Sequence, residues 1–208
     1  LMTEAAGKAI HPVFGLPGGV SKPISPELRD RFVAAAAHAV EFGKFSLQIF
    51  RDVVLANKEY VDMVTSEAYT HRTYYMGMVD EQNRVSFYDG RLRVVDPSGK
   101  EYLTFEGRDY LDHVAEHVEP WSYMKFCYLK DVGWTGFNDG PDSGVYAVAP
   151  LARLNASDGM ATPVAQEAYE ELFSTLGGKP VHFTLATHWA RLVELVNAAE
   201  RMGELAAD

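Results

Sequence analysis

The chain has 208 residues, of which 47% are hydrophobic and 23% are charged, a composition typical of a folded globular protein with a sizeable core. Its formal net charge is -10 and its isoelectric point is near 5.1. Nucleic acids and anionic membrane surfaces attract proteins through basic patches, so the sequence predicts neither as a partner.

The sequence contains one cysteine, Cys127. A single cysteine excludes an internal disulfide and any zinc or iron–sulfur site built from several thiolates. Because Cys127 lies in the apolar stretch Lys125–Leu129, we expect a buried, inert thiol. A reducing compartment fits this cysteine usage, and we predict a cytoplasmic location.

The two ends of the chain do not look like natural boundaries. The first residues have no apolar core of a signal peptide. No apolar run approaches the roughly 20 residues that a membrane-spanning helix needs. The last residues continue a helical pattern, so we interpret both ends as cuts within a longer protein.

The chain opens with a loop and a long helix. Residues 1–25 are predicted to be an interface loop, and the stretch 11–26 is rich in proline and glycine and should follow a defined, non-repetitive path. Ser25 is suited to cap a helix with Pro26 at its first position, and the helix is predicted over residues 26–58. Gly43 is expected to be its weak point. The apolar positions of this helix are Leu28, Phe32, Ala36, Val40, Leu47, Phe50, Val53 and Val54.

The pattern changes over residues 72–106, which read as a small antiparallel β-meander with turns at Asp89-Gly90 and at Pro97-Ser98-Gly99. Residues 107–208 are predicted to be a helical remainder with an irregular aromatic segment. The class is therefore α+β and mostly helical. The predicted strands are Tyr74–Val79, Val85–Tyr88, Leu92–Val95 and Tyr102–Phe105, with a further extended piece at Val145–Val148. The predicted helices of the remainder are Gly107–His117, Val164–Leu176 and Thr184–Leu205.

Two histidines stand at a spacing that can bind a metal. His113 and His117 are four residues apart on a predicted helix, which would place both imidazoles on one face, as in zinc sites. No third ligand is identifiable, so an ordinary helix face is the favoured interpretation and a zinc pair the weaker one. His182 and His188 are expected to pack or to cap the last helix.

The loop at residues 10–23 is the other candidate site. A histidine, His11, is followed by the turn residues Pro17, Gly18 and Gly19, with few polar side chains between them. Such a loop allows another surface to approach the backbone closely. The alternative is a rigid lead-in to the long helix.

Three stretches taken together resemble a known family. They are Ala9–Val20, His113–Phe126 and Val145–Asn155. In this order the chain resembles the central segment of the large subunit of nickel–iron hydrogenases, closest to the cytoplasmic type that reduces methyl viologen or acts bidirectionally with a nicotinamide partner. That family catalyses the reversible oxidation of dihydrogen to protons and electrons.

The resemblance implies a site that is incomplete here. The family holds nickel and iron with two Cys-x-x-Cys pairs, and neither pair is present, nor is the family's active-site arginine. The resemblance therefore implies an inactive fragment with no catalytic residue and no cofactor of its own, and a nickel–iron centre in the full-length parent. Cys127 stands where the family has proline.

The resemblance also implies a partner, the iron–sulfur small subunit. His11 would lie near that subunit's cluster, and Pro17, Gly18 and Gly19 would shape the interface loop. Arg153 and Trp121 are expected to be structural. The alternative function is a free-standing, non-catalytic scaffold or interaction module descended from the same family. The isolated chain is expected to expose apolar patches and to self-associate.

Overall fold

The computed structural model describes residues 1–208 as an α+β fold in which helices dominate and three small sheets are inserted. The predicted fold class is confirmed. The helices are α1 (Met2–Ala6), α2 (Pro26–Phe50), α3 (Lys58–Val64), α4 (Tyr110–His113), α5 (Pro150–Ala156), α6 (Pro163–Thr175) and α7 (Thr187–Ala207). The strands are β1 (Gly15–Leu16), β2 (Gly19–Val20), β3 (Tyr74–Val79), β4 (Arg91–Val95), β5 (Glu101–Phe105), β6 (Val114–Val118), β7 (Lys125–Leu129) and β8 (Tyr146–Ala147).

The long helix α2 begins as its sequence predicts. The Ser25 hydroxyl accepts a hydrogen bond from the Leu28 amide at 3.2 Å, and Pro26 takes the first helical position, where its missing amide hydrogen costs nothing. The helix passes into one π-helical turn at Arg51–Leu55 before α3 starts. The helix therefore continues close to its predicted end at residue 58, but its last turn has the i→i+5 hydrogen bonds of a π-helix, which we did not expect.

Gly43 is a packing residue, and the expectation that it is a weak point of α2 is wrong. It is buried where α2 crosses α7, and an added Cβ would lie 2.8 Å from Cγ2 of Val196. The absence of a side chain lets the two backbones approach closely. The main contact between the first and last long helices therefore depends on this glycine.

The meander strands β3, β4 and β5 join β8 in one four-stranded sheet, in the order β5-β4-β3-β8. The two pairs β3–β4 and β4–β5 are antiparallel, and β8 adds in parallel beside β3. The predicted strand at Val85–Tyr88 does not form, since only Val85 bridges to Val79. α5, which the sequence did not predict, lies across β3 at Gly77, where an added Cβ would be 2.8 Å from the Arg153 Cα.

The predicted helix Gly107–His117 is wrong in its second half. The helix α4 ends at His113, and β6 follows directly and pairs antiparallel with β7. Branched Val114 and Val118 suit a strand, and the cross-strand partners that stabilise it come from residues 125–129, beyond the reach of a local pattern. The partition of the chain at residues 25, 58 and 106 stays a prediction.

The main core lies among the C-terminal helices. Trp189, Val193 and Val196 of α7 are buried against Leu172 of α6 and Leu154 of α5. No helix combines the length and the apolar character that crossing a membrane would require.

Candidate functional site

The loop at residues 10–23 forms a small exposed hairpin. β1 and β2 pair antiparallel, with Gly15 opposite Val20 and Leu16 opposite Gly19. Gly18 has φ 83°, which the tight turn after Pro17 requires and which only glycine adopts readily. His11 has φ 53° and is exposed. An interface role for His11, Pro17, Gly18 and Gly19 stays a prediction.

The two histidines proposed as a zinc pair do not share a helix face. His113 ends α4 and its ring lies 4.5 Å from the Phe105 ring, whereas His117 is on β6 and stacks on Trp134 at 4.5 Å between ring centroids. The His117 Nε2 is also 2.9 Å from the Glu119 carboxylate. No group of three or more His, Cys, Asp or Glu side chains is placed to hold a metal ion. The helical placement that motivated the zinc hypothesis is therefore wrong.

Aromatic side chains cover the ribbon formed by β6 and β7. Trp134 is at the centre, with Phe126 at 6.0 Å and Phe137 at 5.1 Å between ring centroids. Trp121 lies 5.6 Å from Phe126 and is 68% exposed, and Tyr123 is fully exposed. Trp121 thus belongs to an open aromatic surface, which we call the aromatic ribbon (residues 114–137).

Cys127 is exposed on β7, so the expectation of a buried thiol is wrong. Residues alternate across a strand, and Cys127 lies on the face opposite to Phe126 and Tyr128. Cys127 is a neighbour of the Tyr146 hydroxyl. Burial is the main cause that raises the pKa of this hydroxyl to about 12, and Cys127 is the second cause. The apolar neighbours in the sequence did not indicate burial here because the ribbon has only two strands and leaves one face open.

Arg153 joins α5 to α7. Its guanidinium donates to both carboxylate oxygens of Glu194, at 2.6 and 2.8 Å, and its Cζ lies 5.4 Å from the Phe87 ring centroid. Glu194 is 9% exposed, so the pair is largely withdrawn from water. A bidentate pair in such a setting fixes the relative orientation of two helices. This geometry supports the structural role expected for Arg153, which stays a prediction.

A site that the sequence did not indicate lies where β3, β8 and the starts of α5 and α7 meet. A cavity of about 180 Å³ is lined by residues that include His71, Tyr75 and His182. The Tyr75 hydroxyl is 2.7 Å from the Nδ1 of His182, and His71 is 3.1 Å from Asp139. Tyr75 and His182 are 107 residues apart, so no local pattern could have joined them.

Burial determines how this pair is protonated. It raises the pKa of the Tyr75 hydroxyl well above its ordinary value, so the hydroxyl keeps its proton. Burial also lowers the pKa of His182, with a further lowering from the charge of Arg72. A neutral imidazole donates at one ring nitrogen and accepts at the other, so either partner can supply the hydrogen in the contact between the His182 Nδ1 and the Tyr75 hydroxyl. The pair therefore presents a neutral, hydrogen-bonded wall rather than a free acid and base.

Ala149 adds backbone strain beside this cavity. Its φ is 77° and its ψ is -173°, a region that is essentially restricted to glycine and costs on the order of 1–3 kcal/mol for other residues. The residue directly precedes Pro150, the first residue of α5, and its neighbour Val148 lines the cavity. Such strain persists where the surrounding structure holds it in place.

Lys179 forms a second buried polar contact. The residue as a whole is exposed, but its ammonium group turns inward to the Ser157 carbonyl and to the Tyr169 hydroxyl. It also lies 5.7 and 5.6 Å from the ring centroids of Tyr169 and Phe173. Burial of the ammonium lowers the pKa of Lys179 to about 8.

Comparison with known proteins finds hydrogenases. The iron–sulfur subunit of an F420-non-reducing hydrogenase from Archaeoglobus profundus is 48% identical over 202 residues, which are 97% of this chain and 41% of that protein. A protein of the vhu F420-non-reducing hydrogenase from Methanococcus voltae is 39% identical and is matched over 100% of this chain and 46% of its own length. The beta subunit of the NAD-reducing hydrogenase HoxS from Cupriavidus necator is 35% identical, over 97% of this chain and 40% of its own length. No family model matches the chain.

A solved structure shares the fold over nearly the whole chain. It is described as an NAD+-reducing [NiFe]-hydrogenase in the H2-reduced state, and it superposes with a TM-score of 0.85 at 30% sequence identity. The match covers 99% of this chain and 44% of that chain.

These findings correct the predicted identity. The relative from Archaeoglobus profundus carries the name of an iron–sulfur subunit, so the assignment to the large nickel–iron subunit is wrong, and so is the expectation of a nickel–iron centre in the parent. The prediction that an iron–sulfur small subunit is the partner is corrected for the same reason, because this chain is itself similar to an iron–sulfur subunit. The free-standing scaffold fits the relatives no better. The chain spans less than half of the length of the curated relatives it matches.

Proposed function

We propose that residues 1–208 form a region of a hydrogenase subunit of the iron–sulfur, electron-transferring type, which assembles with other hydrogenase subunits. The observation that carries this proposal is the 48% identity to the Archaeoglobus profundus protein along 97% of the chain. The TM-score of 0.85 to the solved hydrogenase supports the assignment to a hydrogenase subunit, without bearing on which subunit it is. The cytoplasm remains the predicted location.

The residues present do not fit an iron–sulfur cluster. Such clusters are held by about four cysteine thiolates, with histidine replacing cysteine in some. The chain has one cysteine, exposed Cys127, and no grouping of three or more potential ligands. We therefore derive no electron-transfer step through these 208 residues and assign them a role in assembly.

Two exposed surfaces support a role in assembly. Val13, Leu16 and Val20 of the hairpin loop are each more than 50% exposed. The aromatic ribbon exposes Trp121 and Tyr123, and tryptophan and tyrosine are enriched where protein interfaces are buried. Surfaces of this kind are suited to contact with the other subunits.

Co-purification from the native cell tests the assembly proposal. A tagged protein should bring hydrogenase subunits with it, and the eluate should reduce a viologen dye in the presence of dihydrogen. Tyr123→Ala should reduce the recovery of the other subunits several-fold. Tyr88→Ala is the matched control, because Tyr88 is also highly exposed, at 89%, but lies outside the aromatic ribbon.

Purification of the tagged protein alone, without dihydrogen-dependent dye reduction, would contradict the proposal. Equal recovery with both tyrosine variants would remove the aromatic ribbon from the interface. Iron and acid-labile sulfide are measured separately on the 208-residue chain, where we expect well under one iron per chain. Stoichiometric iron with sulfide, lost in Cys127→Ser, would overturn the absence of a cluster.

A further inference from the structure

The helix α2 carries large apolar side chains on two faces. One face, with Leu28, Ala36, Gly43 and Leu47, is buried, and α2 packs against α7. A second set faces away from this contact and is exposed. We call it the outer stripe. It consists of Phe42, Phe45 and Ile49 of α2 and of Val53 in the π-helical turn that follows, which are 61%, 59%, 46% and 53% exposed. A surface helix normally keeps its second face polar, so the outer stripe requires an explanation.

The sequence pattern did not separate these two faces. It placed Val53 on one continuous apolar stripe with Leu47 and Phe50, whereas the structure buries Leu47 and exposes Val53. Tertiary packing against α7 covers only one side of the helix, and nothing within residues 1–208 covers the outer stripe. The exposed apolar side chains are contiguous rather than scattered, which distinguishes them from ordinary exposed hydrophobic residues.

The spacing of the outer stripe suits a helical partner. The residues follow one another at intervals of three, four and four, which is the spacing of a helix–helix seam. From residue 42 to residue 53 the stripe is about 16 Å long, at about 1.5 Å per residue. A covering helix would therefore need at least about three turns to bury it.

The polar residues beside the stripe require no charged partner. The Lys44 ammonium is 2.9 Å from the Glu41 carboxylate, and the Gln48 amide donates to Asp52 at 2.7 Å. Each of these pairs is satisfied within α2 and the π-helical turn that follows it. The chemistry that the outer stripe selects is consequently apolar.

A groove leads along this side of the molecule. It has a volume of about 670 Å³ between α2 and α6, with Phe45 among its lining residues. Arg51 spans the groove and donates to both carboxylate oxygens of Glu171, at 2.7 and 2.6 Å. α6 thus approaches α2 on one side of the stripe and leaves the stripe itself open.

We propose that an amphipathic helix of the same polypeptide, from the portion that the relatives carry outside the matched region, covers the outer stripe. The matched region is only 41%, 46% and 40% of three relatives, so more than half of each of those proteins lies outside it. A covalently connected helix is present at a high effective concentration, which a separate protein would have to replace with its own affinity. The proposal does not depend on which hydrogenase subunit the chain belongs to.

Photocrosslinking in the full-length Archaeoglobus profundus relative tests this directly. p-Benzoylphenylalanine replaces the residue aligned with Phe45, and the crosslinked peptides are identified by mass spectrometry. We expect the crosslink within one chain, to a segment outside the matched region. The same probe at the position aligned with Ala37, an exposed residue of α2 outside the stripe, is the control and should not reach that segment.

A crosslink from the stripe position to a second copy, to another subunit, or to nothing would each overturn the proposal. If the first variant does not fold, the position aligned with Ile49 carries the same test. In the 208-residue chain, Phe45→Glu should change the urea midpoint of unfolding little, since the side chain is 59% exposed there. A clear fall in that midpoint would show that residues 1–208 already bury the stripe.

Discussion

The contact between Gly43 and Val196 makes a prediction whose sign can be worked out from the structure. Alanine at a helix interior is favoured over glycine by about 1 kcal/mol. At Gly43, however, the new Cβ would lie 2.8 Å from Cγ2 of Val196, which is fully buried and cannot turn away freely. Overpacking of this kind costs about 1–3 kcal/mol. Gly43→Ala should therefore lower the free energy of unfolding by about 1 kcal/mol, the net of these two effects.

A second substitution isolates the cause. Val196→Ala alone removes two buried methyl groups and should cost about 2 kcal/mol. It also removes the Cγ2 atom that the new Cβ would meet, so the double variant keeps the helix-forming gain of alanine without the clash. We expect the double variant to lose only about 1 kcal/mol, compared with about 3 kcal/mol if the single effects simply added.

Urea unfolding followed by far-ultraviolet circular dichroism measures all four proteins of this cycle. Gly203→Ala on α7 is the control, because its added Cβ would meet the Ala36 Cβ at an ordinary 3.4 Å. It should be neutral or stabilising by up to about 1 kcal/mol. Additivity of the two single effects to within about 0.5 kcal/mol would refute the argument that Gly43 is required by the crossing of α2 and α7.

Three further predictions concern buried charge and protonation. Glu194→Gln keeps the shape of the side chain but removes the charge facing Arg153, and should cost about 1–3 kcal/mol in urea unfolding; a change within the error of the measurement would contradict the role of this pair. Because the native pKa of His182 is held below its ordinary 6.5, the unfolded chain binds a proton that the native chain does not, so stability should fall as the pH drops from about 6.5. His182→Gln should reduce that slope, and an identical slope in both proteins would show that His182 is not its source. The pKa of Lys179 is also lowered, to about 8 from 10.5, so between these two pH values the unfolded chain again binds more protons than the native chain and stability should rise with pH. This rise should be absent in Lys179→Met, and thermal melting across that range measures it.

The resemblance in three short stretches found the right group of proteins and the wrong subunit. Hydrogenase is the word that the relatives' names share, and the stretches at residues 9–20, 113–126 and 145–155 were enough to indicate it. The correction of the subunit came from comparison along the whole chain. Whichever subunit the chain belongs to, its single cysteine cannot supply the several thiolates that an iron–sulfur cluster needs.

By itself the sequence determined features that depend on neighbours along the chain. The Ser25 cap, the proline at the first position of α2 and the turn at Pro17-Gly18 all follow from hydrogen bonds and φ angles within a few residues. Tertiary structure decided the rest. It turned residues 114–118 into a strand through pairing with 125–129 and made Gly43 a close contact. It also brought Tyr75 against His182 across 107 residues. Burial and strand pairing are properties of two segments together, and a local pattern records only one of them.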